Sequence, residues 1–565
     1  MYELLEPIEV GKGLAGLPLP SPGDIFLDFE GDPFAFEDGL EYLIGTATIQ
    51  QGRDAQPAYE AIWSSERSGE KKAFEKFIAG VMERRRRYPD LHIYHYAPYE
   101  PSAIKRLAGR HATCVEEVDQ LLRAGAFVDL YHIVRQGLRA SVESYSIKQL
   151  EPLYGFTRAI PLRDAIFAQQ AFEAVLALGS GGEDISELLQ TIEGYNRDDC
   201  LSAFQLREWL EERRRDLEAK TGTPLARPEV RQGEPSEDLA AQLQEVAALM
   251  DRLVAGFPTN ESEWSDEQRA RWLLAQLLEW HRREEKSAWW EYFRLCELSE
   301  DEMEEDKSAL GGLVYLGEVA RVKRSAVHRY QFPPQDHAID RALEVRDPRT
   351  GKSPGAVVQI DERNRTIDLK RGISSTVAHP TALIPFDIVN SIVLRDSLLR
   401  LGTWVADYGI SGPGPLQSAR DLLLRLSPRI TGGSPGPLLY QGENLNEAAK
   451  RLVLSLQDST LPVQGPPGSG KTYSGARMVV ELVKQGRRVG LTAVSHKVIS
   501  NLLCEVCRAA RETGVVLQAV QKANEDDGCE DPVVTQVTTN ENVRTMLASG
   551  AAQVGAGTAW LWARQ

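Results

Sequence analysis

The sequence predicts an α/β protein of several domains, and three observations predict it. Apolar strand-like runs alternate with longer helical patterns from about Gly23 to Leu210. A strand-rich stretch follows from about Gly312 to Leu394. Near the C-terminus a G-x4-G-K-[ST] loop lies between an expected strand and an expected helix. At 565 residues the chain is too long for a single core, and its length suggests roughly three to five domains.

Composition narrows the class. Apolar content of 42% and charged content of 26% are those of an ordinary globular chain, and no apolar run reaches the length of a bilayer span. Met1-Tyr2-Glu3-Leu4-Leu5-Glu6 has neither a basic n-region nor an apolar h-region, and six cysteines in this length give no disulfide framework. A cytoplasmic protein is the expectation. The net charge of −17 argues against wide nonspecific binding to nucleic acid. It does not exclude a nucleic-acid enzyme, because phosphate contacts depend on local basic surface and metal sites require carboxylates.

Taken in order, residues 1–22 are a lead into the first α/β domain, expected over 23–215. Residues 236–308 are helical and charged. Trp264, Trp272 and Trp280 recur there every eight residues, which on one helix turns each by about 80° and keeps them on one broad face. Aromatic packing is the expected role, with Trp289 and Trp290 alongside, and a base-stacking platform is the alternative. Residues 312–400 read as a small β-barrel or open sheet, from Leu313-Val314-Tyr315-Leu316, Ala356-Val357-Val358-Gln359-Ile360 and Thr366-Ile367-Asp368-Leu369. Residues 401–436 form a linker with a helix, marked by Ile410-Ser411-Gly412-Pro413-Gly414-Pro415 and Gly432-Gly433-Ser434-Pro435-Gly436. Residues 437–565 form the last α/β region.

The first domain carries an ordered set of acids. Asp28 and Glu30 alternate on an apolar strand, Asp24-Ile25-Phe26-Leu27-Asp28-Phe29-Glu30, so both point to one face. Burying two carboxylates together is costly unless a cation or donors compensate. A second strand, Leu91-His92-Ile93-Tyr94, turns through His95-Tyr96-Ala97-Pro98 to deliver Glu100. Tyr195 and Asp199, four apart, share one face of a later helix, with Asp198 as the competitor for Asp199. Four carboxylates converging on two divalent cations suit in-line hydrolysis of a phosphodiester. Asp129 is expected to cap or position a helix. Lys148 is either a phosphate contact or an exposed lysine, and Arg84 to Arg87 are expected to be a solvated face.

The last region holds Gly465-Pro466-Pro467-Gly468-Ser469-Gly470-Lys471-Thr472, expected after a strand at Leu461-Pro462-Val463-Gln464. Backbone N–H groups of such a loop wrap phosphates, Lys471 pairs with the β- and γ-phosphates, and the Thr472 hydroxyl ligates Mg²⁺, which makes ATP with Mg²⁺ the expected ligand. Cys504-x2-Cys507 is expected to be core rather than a zinc site.

These motifs resemble a known family. The order Asp-x-Glu, strand–turn–acid, Tyr-x3-Asp is similar to the tyrosine-containing branch of the DEDD exonucleases. It looks like the ribonuclease H-like domain of bacterial fusions between RecB-like nucleases and superfamily 1 helicases. The resemblance implies that Asp28, Glu30, Glu100 and Asp199 ligate two Mg²⁺ or Mn²⁺ ions and that Tyr195 orients the attacking water. Glu100 departs from the family, which usually supplies Asp there. The phosphate loop, followed by Val489-Gly490-Leu491-Thr492-Ala493-Val494-Ser495-His496 and Asn501, resembles the start of a superfamily 1 motor. The strand-rich part then corresponds to the accessory barrel before that motor. Glu447 stands near the position of an adenine-reading glutamine.

After Lys471 no apolar strand ends in Asp-Glu, and Glu525-Asp526-Asp527 does not qualify. The expectation is a motor cut before its second nucleotide-binding segment, with a missing C-terminal motor domain, doubtful ATPase activity and an N-terminus that is also incomplete. The implied function is a metal-dependent 3′–5′ exonuclease acting on single-stranded DNA or RNA within a nuclease–helicase for DNA repair or nucleic-acid processing. Its rivals are an ATP-binding, helicase-related protein whose first domain is a non-catalytic clamp, and a binder with decayed sites.

Overall fold

The computed structural model describes residues 1–564 apart from 7–9, 37, 50–56, 180–183, 235–236, 323, 341–343, 433–436 and 524–526, and leaves the side chain of residue 238 aside. The acids at 525 and 526 and the glycine-rich run at 433–436 therefore lie outside the described residues. The architecture is mixed α/β, in two compact units: Met1–Ser236 with Lys286–Asp387, and Glu237–Glu285 with Ile388–Gln565. No described helix is long and apolar enough to cross a membrane.

In the first unit, a short ladder pairs β1 (Tyr2–Leu4) with β7 (Leu138–Ala140). The main sheet has the order β4 (Ala58–Trp63), β3 (Leu40–Thr48), β2 (Ile25–Asp32), β5 (Ile93–His95), β6 (Phe127–Asp129). β2–β3 and β3–β4 are antiparallel, while β2–β5 and β5–β6 are parallel. The connecting helices are α1 (Arg67–Arg87), α2 (Tyr99–His111), α3 (Val115–Arg123), α4 (Leu130–Gly137), α5 (Ile147–Tyr154), α6 (Leu162–Leu178) and α7 (Ser186–Thr221).

The period-2 pattern of β2 divides the core. Ile25, Leu27 and Phe29 pack with Phe74, Phe77, Ile104 and Leu107 of α1 and α2. Phe26 goes to the opposite face, with Tyr94 and with Cys200 and Leu206 of α7. Asp28 and Glu30 share the parity of Phe26, so the strand aims both acids toward α7. α7 is pinned there by a buried ion pair: Arg207, 1% exposed, donates to Asp24 at 2.8 Å and lies 5.1 Å and 5.0 Å from the ring centres of Phe26 and Tyr94. Asp24 also accepts from the backbone N–H groups of Ser21 and His92. Removing one partner of such a pair costs about 3–5 kcal/mol, because the other charge is left buried.

The rest of this unit takes in α10 (Trp280–Glu297) from Lys286 onward and α11 (Glu300–Glu305). An open antiparallel sheet follows, in the order β11 (Ala356–Asp361), β12 (Thr366–Gly372), β9 (Ser325–Gln331), β8 (Val314–Val322). β10 (Val345–Arg346) and β13 (Ile384–Pro385) form a separate ladder.

In the second unit, α8 (Glu237–Val254), α9 (Asp266–Leu278), α12 (Ile392–Tyr408) and α13 (Gln417–Leu423) enclose one core that includes Leu249, Leu253, Leu274, Leu278 and Val405. A parallel sheet has the order β14 (Val489–Leu491), β17 (Val554–Ala556), β15 (Ala519–Lys522), β16 (Val534–Val537). It is accompanied by α14 (Leu445–Ser455), α15 (Lys471–Lys484), α16 (His496–Glu512), α17 (Asn540–Ser549) and α18 (Ala559–Trp562).

Three sequence expectations change here. The tryptophans do not share one helix: Trp264 precedes α9, Trp272 lies on it, and Trp280 opens α10 after the break at Glu279. The capping box at Ser265 starts α9 just beyond Trp264, so the eight-residue spacing spans two helix boundaries. Leu461-Pro462-Val463-Gln464 is not a strand, and Pro462 has no N–H to give a ladder. The basic run on α1 is not wholly solvated: Arg84 donates to the Gly23 carbonyl, and Arg85 is buried and donates to the Gln232 carbonyl. Cys507 is core, as expected, while Cys504 Sγ lies 2.7 Å from the sulfur of Cys529.

Candidate active site

The alternation of side chains along β2 and the position of α7 bring three carboxylates together. One ligand oxygen each from Asp28, Glu30 and Asp199 can be chosen so that all lie within 4.8 Å of one another. Among the described residues this is the single group of three or more acidic, His or Cys side chains with ligand atoms so placed. Burial raises the Asp28 carboxyl well above the usual range, with Asp199, Glu30 and Glu100 adding to it. Glu30 is pushed up to about 8 by burial and then by Asp199. A carboxylate group held so close keeps a proton near neutral pH unless a cation compensates.

Each acid is oriented by a neighbour the sequence reading did not single out. Asn196 donates its amide to Asp28 Oδ2 at 2.7 Å and to the Asp28 carbonyl at 3.1 Å, and accepts from the Tyr59 hydroxyl at 2.8 Å. Gln169 of α6 donates to Glu30 Oε2 at 2.6 Å. Arg158 donates to Asp199 Oδ1 at 2.6 Å and to both oxygens of Glu151. Lys148, second in α5, has its ammonium 3.4 Å from Asp199 Oδ1 and 3.5 Å from Oδ2. The only hint of Asn196 in the sequence was its place beside Tyr195. Gln169 and Arg158 lie on segments with no motif at all.

Glu100 sits in the first turn of α2, 4% exposed, outside the group of three. Burial raises its carboxyl well above the usual range, and Asp129, Asp199 and Glu30 add to that. Its Oε2 has no hydrogen-bond partner. His95 Nδ1 approaches that oxygen at 3.6 Å, but it bonds the Ala97 carbonyl at 2.7 Å. Burial lowers the His95 pKa, so His95 is neutral and gives Glu100 no counter-charge. The turn that delivers Glu100 is built by Asp129, which accepts from the N–H of Ala97 at 2.8 Å and from that of Tyr131 at 2.9 Å. Asp129 is thereby the N-cap of α4, the capping role expected of it. Ala97 is held at φ +69°, a left-handed conformation costly for a residue with a Cβ.

Asp198 and Asp199 separate cleanly. Asp198 accepts from the backbone N–H of Ile160 at 2.9 Å, which makes it a structural acceptor, while Asp199 faces Asp28 and Glu30. Tyr195, one turn before Asp199 on α7, lies under the cations of Lys148 and Arg158, at 5.2 Å and 5.4 Å from its ring centre. Burial, followed by Asp199, raises its hydroxyl above the usual phenol range.

The phosphate loop belongs to the second unit. Gly468 and Gly470 have φ of +78° and +84°, and Gly470 caps α15, which begins at Lys471. Side chains other than glycine rarely adopt that conformation, so the loop depends on both glycines. Gly465, Pro466, Pro467 and Ser469 complete it, and a Cβ on Gly465 would lie 2.3 Å from Ser469 Oγ. Lys471 donates to the carbonyls of Gly465 and Pro466, and Thr472 is exposed beside it. Glu447 pairs with Lys450, and its neighbour Asn446 accepts from Ser474 of α15.

Residues 25–211 match the RNase_H_2 family model, of the RNase_H superfamily. This part of the chain is RNase H-like. Its limits enclose the whole carboxylate site, from β2 to α7. The chain is also similar to the rat (Rattus norvegicus) protein named DNA-binding protein SMUBP-2, 24% identical over 173 residues, 28% of this chain and 18% of that one. Its mouse (Mus musculus) counterpart is 25% identical over 173 residues, 28% of this chain and 17% of the relative. The chain thus spans less than a fifth of the length of the curated relatives it matches.

Proposed function

We propose that the RNase H-like domain is a metal-dependent exonuclease that hydrolyses single-stranded nucleic acid from its 3′ end. The observation that supports it is the convergence of one ligand oxygen each from Asp28, Glu30 and Asp199 within 4.8 Å, where burial and mutual repulsion raise the Asp28 carboxyl. The donor set fits a hard divalent cation such as Mg²⁺ or Mn²⁺: three clustered carboxylates, with the unpartnered oxygen of Glu100 beside them. When bound, a divalent cation there supplies an activated water and stabilises negative charge on the phosphate. Asn196 and Gln169 hold Asp28 and Glu30 in fixed orientations, so little reorganisation is left for the reaction. Tyr195, one turn before Asp199 on α7, is the residue proposed to orient the attacking water. The loop at 465–472 is the proposed site for ATP, with Lys471 on the phosphates and Thr472 on its Mg²⁺. The likeness to DNA-binding proteins supports a nucleic-acid partner for the whole chain.

The test uses 3′-labelled and 5′-labelled single-stranded DNA and RNA with Mn²⁺ or EDTA, comparing the parent chain with Asp28→Asn. The expected outcome is metal-dependent shortening from the 3′ end that falls at least about 100-fold in the variant. Binding of the strands without cleavage would favour the rival reading, in which this domain is a clamp beside an ATP-binding unit.

A further inference from the structure

Asp199, one of the three clustered acids, already meets two positive side chains. Arg158 donates to its Oδ1 at 2.6 Å, and the Lys148 ammonium is 3.4 Å from Oδ1 and 3.5 Å from Oδ2. The Arg158 contact is the buried and tighter one, whereas the Lys148 side chain is 31% exposed. The Arg158 side chain is 8% exposed, and Glu151 grips it through Oε1 at 2.6 Å and Oε2 at 3.1 Å. Glu151 is fixed in turn by the Ser202 hydroxyl at 3.0 Å, and Ser202 by the Tyr154 hydroxyl at 2.8 Å. Both cations rest against the Tyr195 ring. α5, α7 and the turn between α5 and α6 thus build a positive flank onto one side of Asp199.

The acids form a set of matching size. Asp28, Glu30 and Asp199 supply mutually close ligand oxygens, which is enough for one ion, whereas Glu100 stands outside that group. A two-ion centre needs its cations about 3.5–4 Å apart, bridged by shared carboxylate oxygens. At Asp199 a second ion would enter hydrogen-bond range of a guanidinium and an ammonium, with like charges close together in a poorly solvated place.

We propose that this centre binds one divalent cation rather than two, and that Lys148, backed by Arg158, supplies the second positive pole beside Asp199. The inference rests on the metal-dependent reading above. Its chemistry is that of an ammonium placed where a second ion would otherwise neutralise the phosphate, with the first ion held by Asp28, Glu30 and Asp199.

Mn²⁺ binding to the full chain tests it, by calorimetry for stoichiometry and by electron paramagnetic resonance for spin coupling. The measurements are made in a Thr472→Ala background to remove the loop's own metal ligand, and Asp28→Asn identifies the ions that belong to the carboxylates. The expected result is one uncoupled Mn²⁺ lost on Asp28→Asn, and a second, spin-coupled Mn²⁺ gained in Lys148→Ala. Lys148→Arg, which keeps the charge, is expected to retain one ion and shows that any gain comes from lost charge rather than lost packing. Two coupled ions in the parent would overturn the inference and leave the nuclease reading standing. One ion in both parent and Lys148→Ala would remove Lys148 from the role. No Mn²⁺ lost on Asp28→Asn would sink the metal reading itself.

Discussion

Gly45, which faces Asp28 across the β2–β3 ladder, shows how narrowly the site is built. A Cβ there would lie 1.5 Å from Asn196 Oδ1, so only glycine leaves room for the amide that holds Asp28. Gly45→Ala is expected to push Asn196 off Asp28, lowering cleavage roughly 10- to 100-fold and stability by about 1–3 kcal/mol. Single-turnover kinetics and urea unfolding check it, and unchanged cleavage would show that Asn196 does not position Asp28. The sequence put Asp28 and Glu30 on one strand face and Tyr195 on one helix face with a later acid, because strand parity and helix spacing are local rules. It left the choice between Asp198 and Asp199 open. That choice depends on the direction in which α7 faces the sheet: Asp198 accepts from the Ile160 N–H, and Asp199 joins Asp28 and Glu30. Gln169 and Arg158 were not legible, since each reaches the site from a segment whose own pattern is ordinary.

Between elements, the tie of α4 to α11 gives a pH dependence. His132 Nδ1 lies 2.6 Å from Glu302 Oε1. The bond to Glu302 raises His132 above 6.5. Burial would raise Glu302, but His132 and Ser299 outweigh it and bring that carboxyl down to about 2. The histidine's contribution is complete below its unfolded pKa of about 6.5 and is lost as pH rises through the raised folded value. The glutamate's is complete above about 4.5 and is lost as pH falls toward 2. The pair therefore stabilises most between about pH 4.5 and 6.5. Urea midpoints across pH should decline on the alkaline side of that window, and His132→Gln should flatten the decline. An unchanged slope would mean that the contact is not formed in solution. The same scale explains why the loop's glycines adopt the conformation their spacing suits while the strand expected at 461–464 is absent. Glycine spacing is a property of the loop itself, whereas membership of a sheet depends on partners, and Pro462 weakens the segment as a partner.

For the whole molecule, the two compact units give each proposed ligand its own territory. Mn²⁺ is expected to slow amide exchange in β2 and α7, and ATP with Mg²⁺ to slow it in residues 465–485, with Lys471→Ala removing only the second effect. At one hundred times its Kd either ligand adds about 2.7 kcal/mol to the unit that binds it. Protection by Mn²⁺ confined to the phosphate loop would show that the carboxylates do not hold the ion. The sequence by itself determined the α/β class, the acids on β2 and α7, and the glycine loop, because each is written in spacing along a few residues. Tertiary structure alone decided the rest. It placed Glu100 outside the tight group and set Lys148 and Arg158 on Asp199. It also cut the tryptophan series across two helices and left β8 and β11 as the edges of an open sheet. The physical reason is common to all of these. Side chains from distant segments meet only where packing fixes the distance between elements, and no local period encodes that distance.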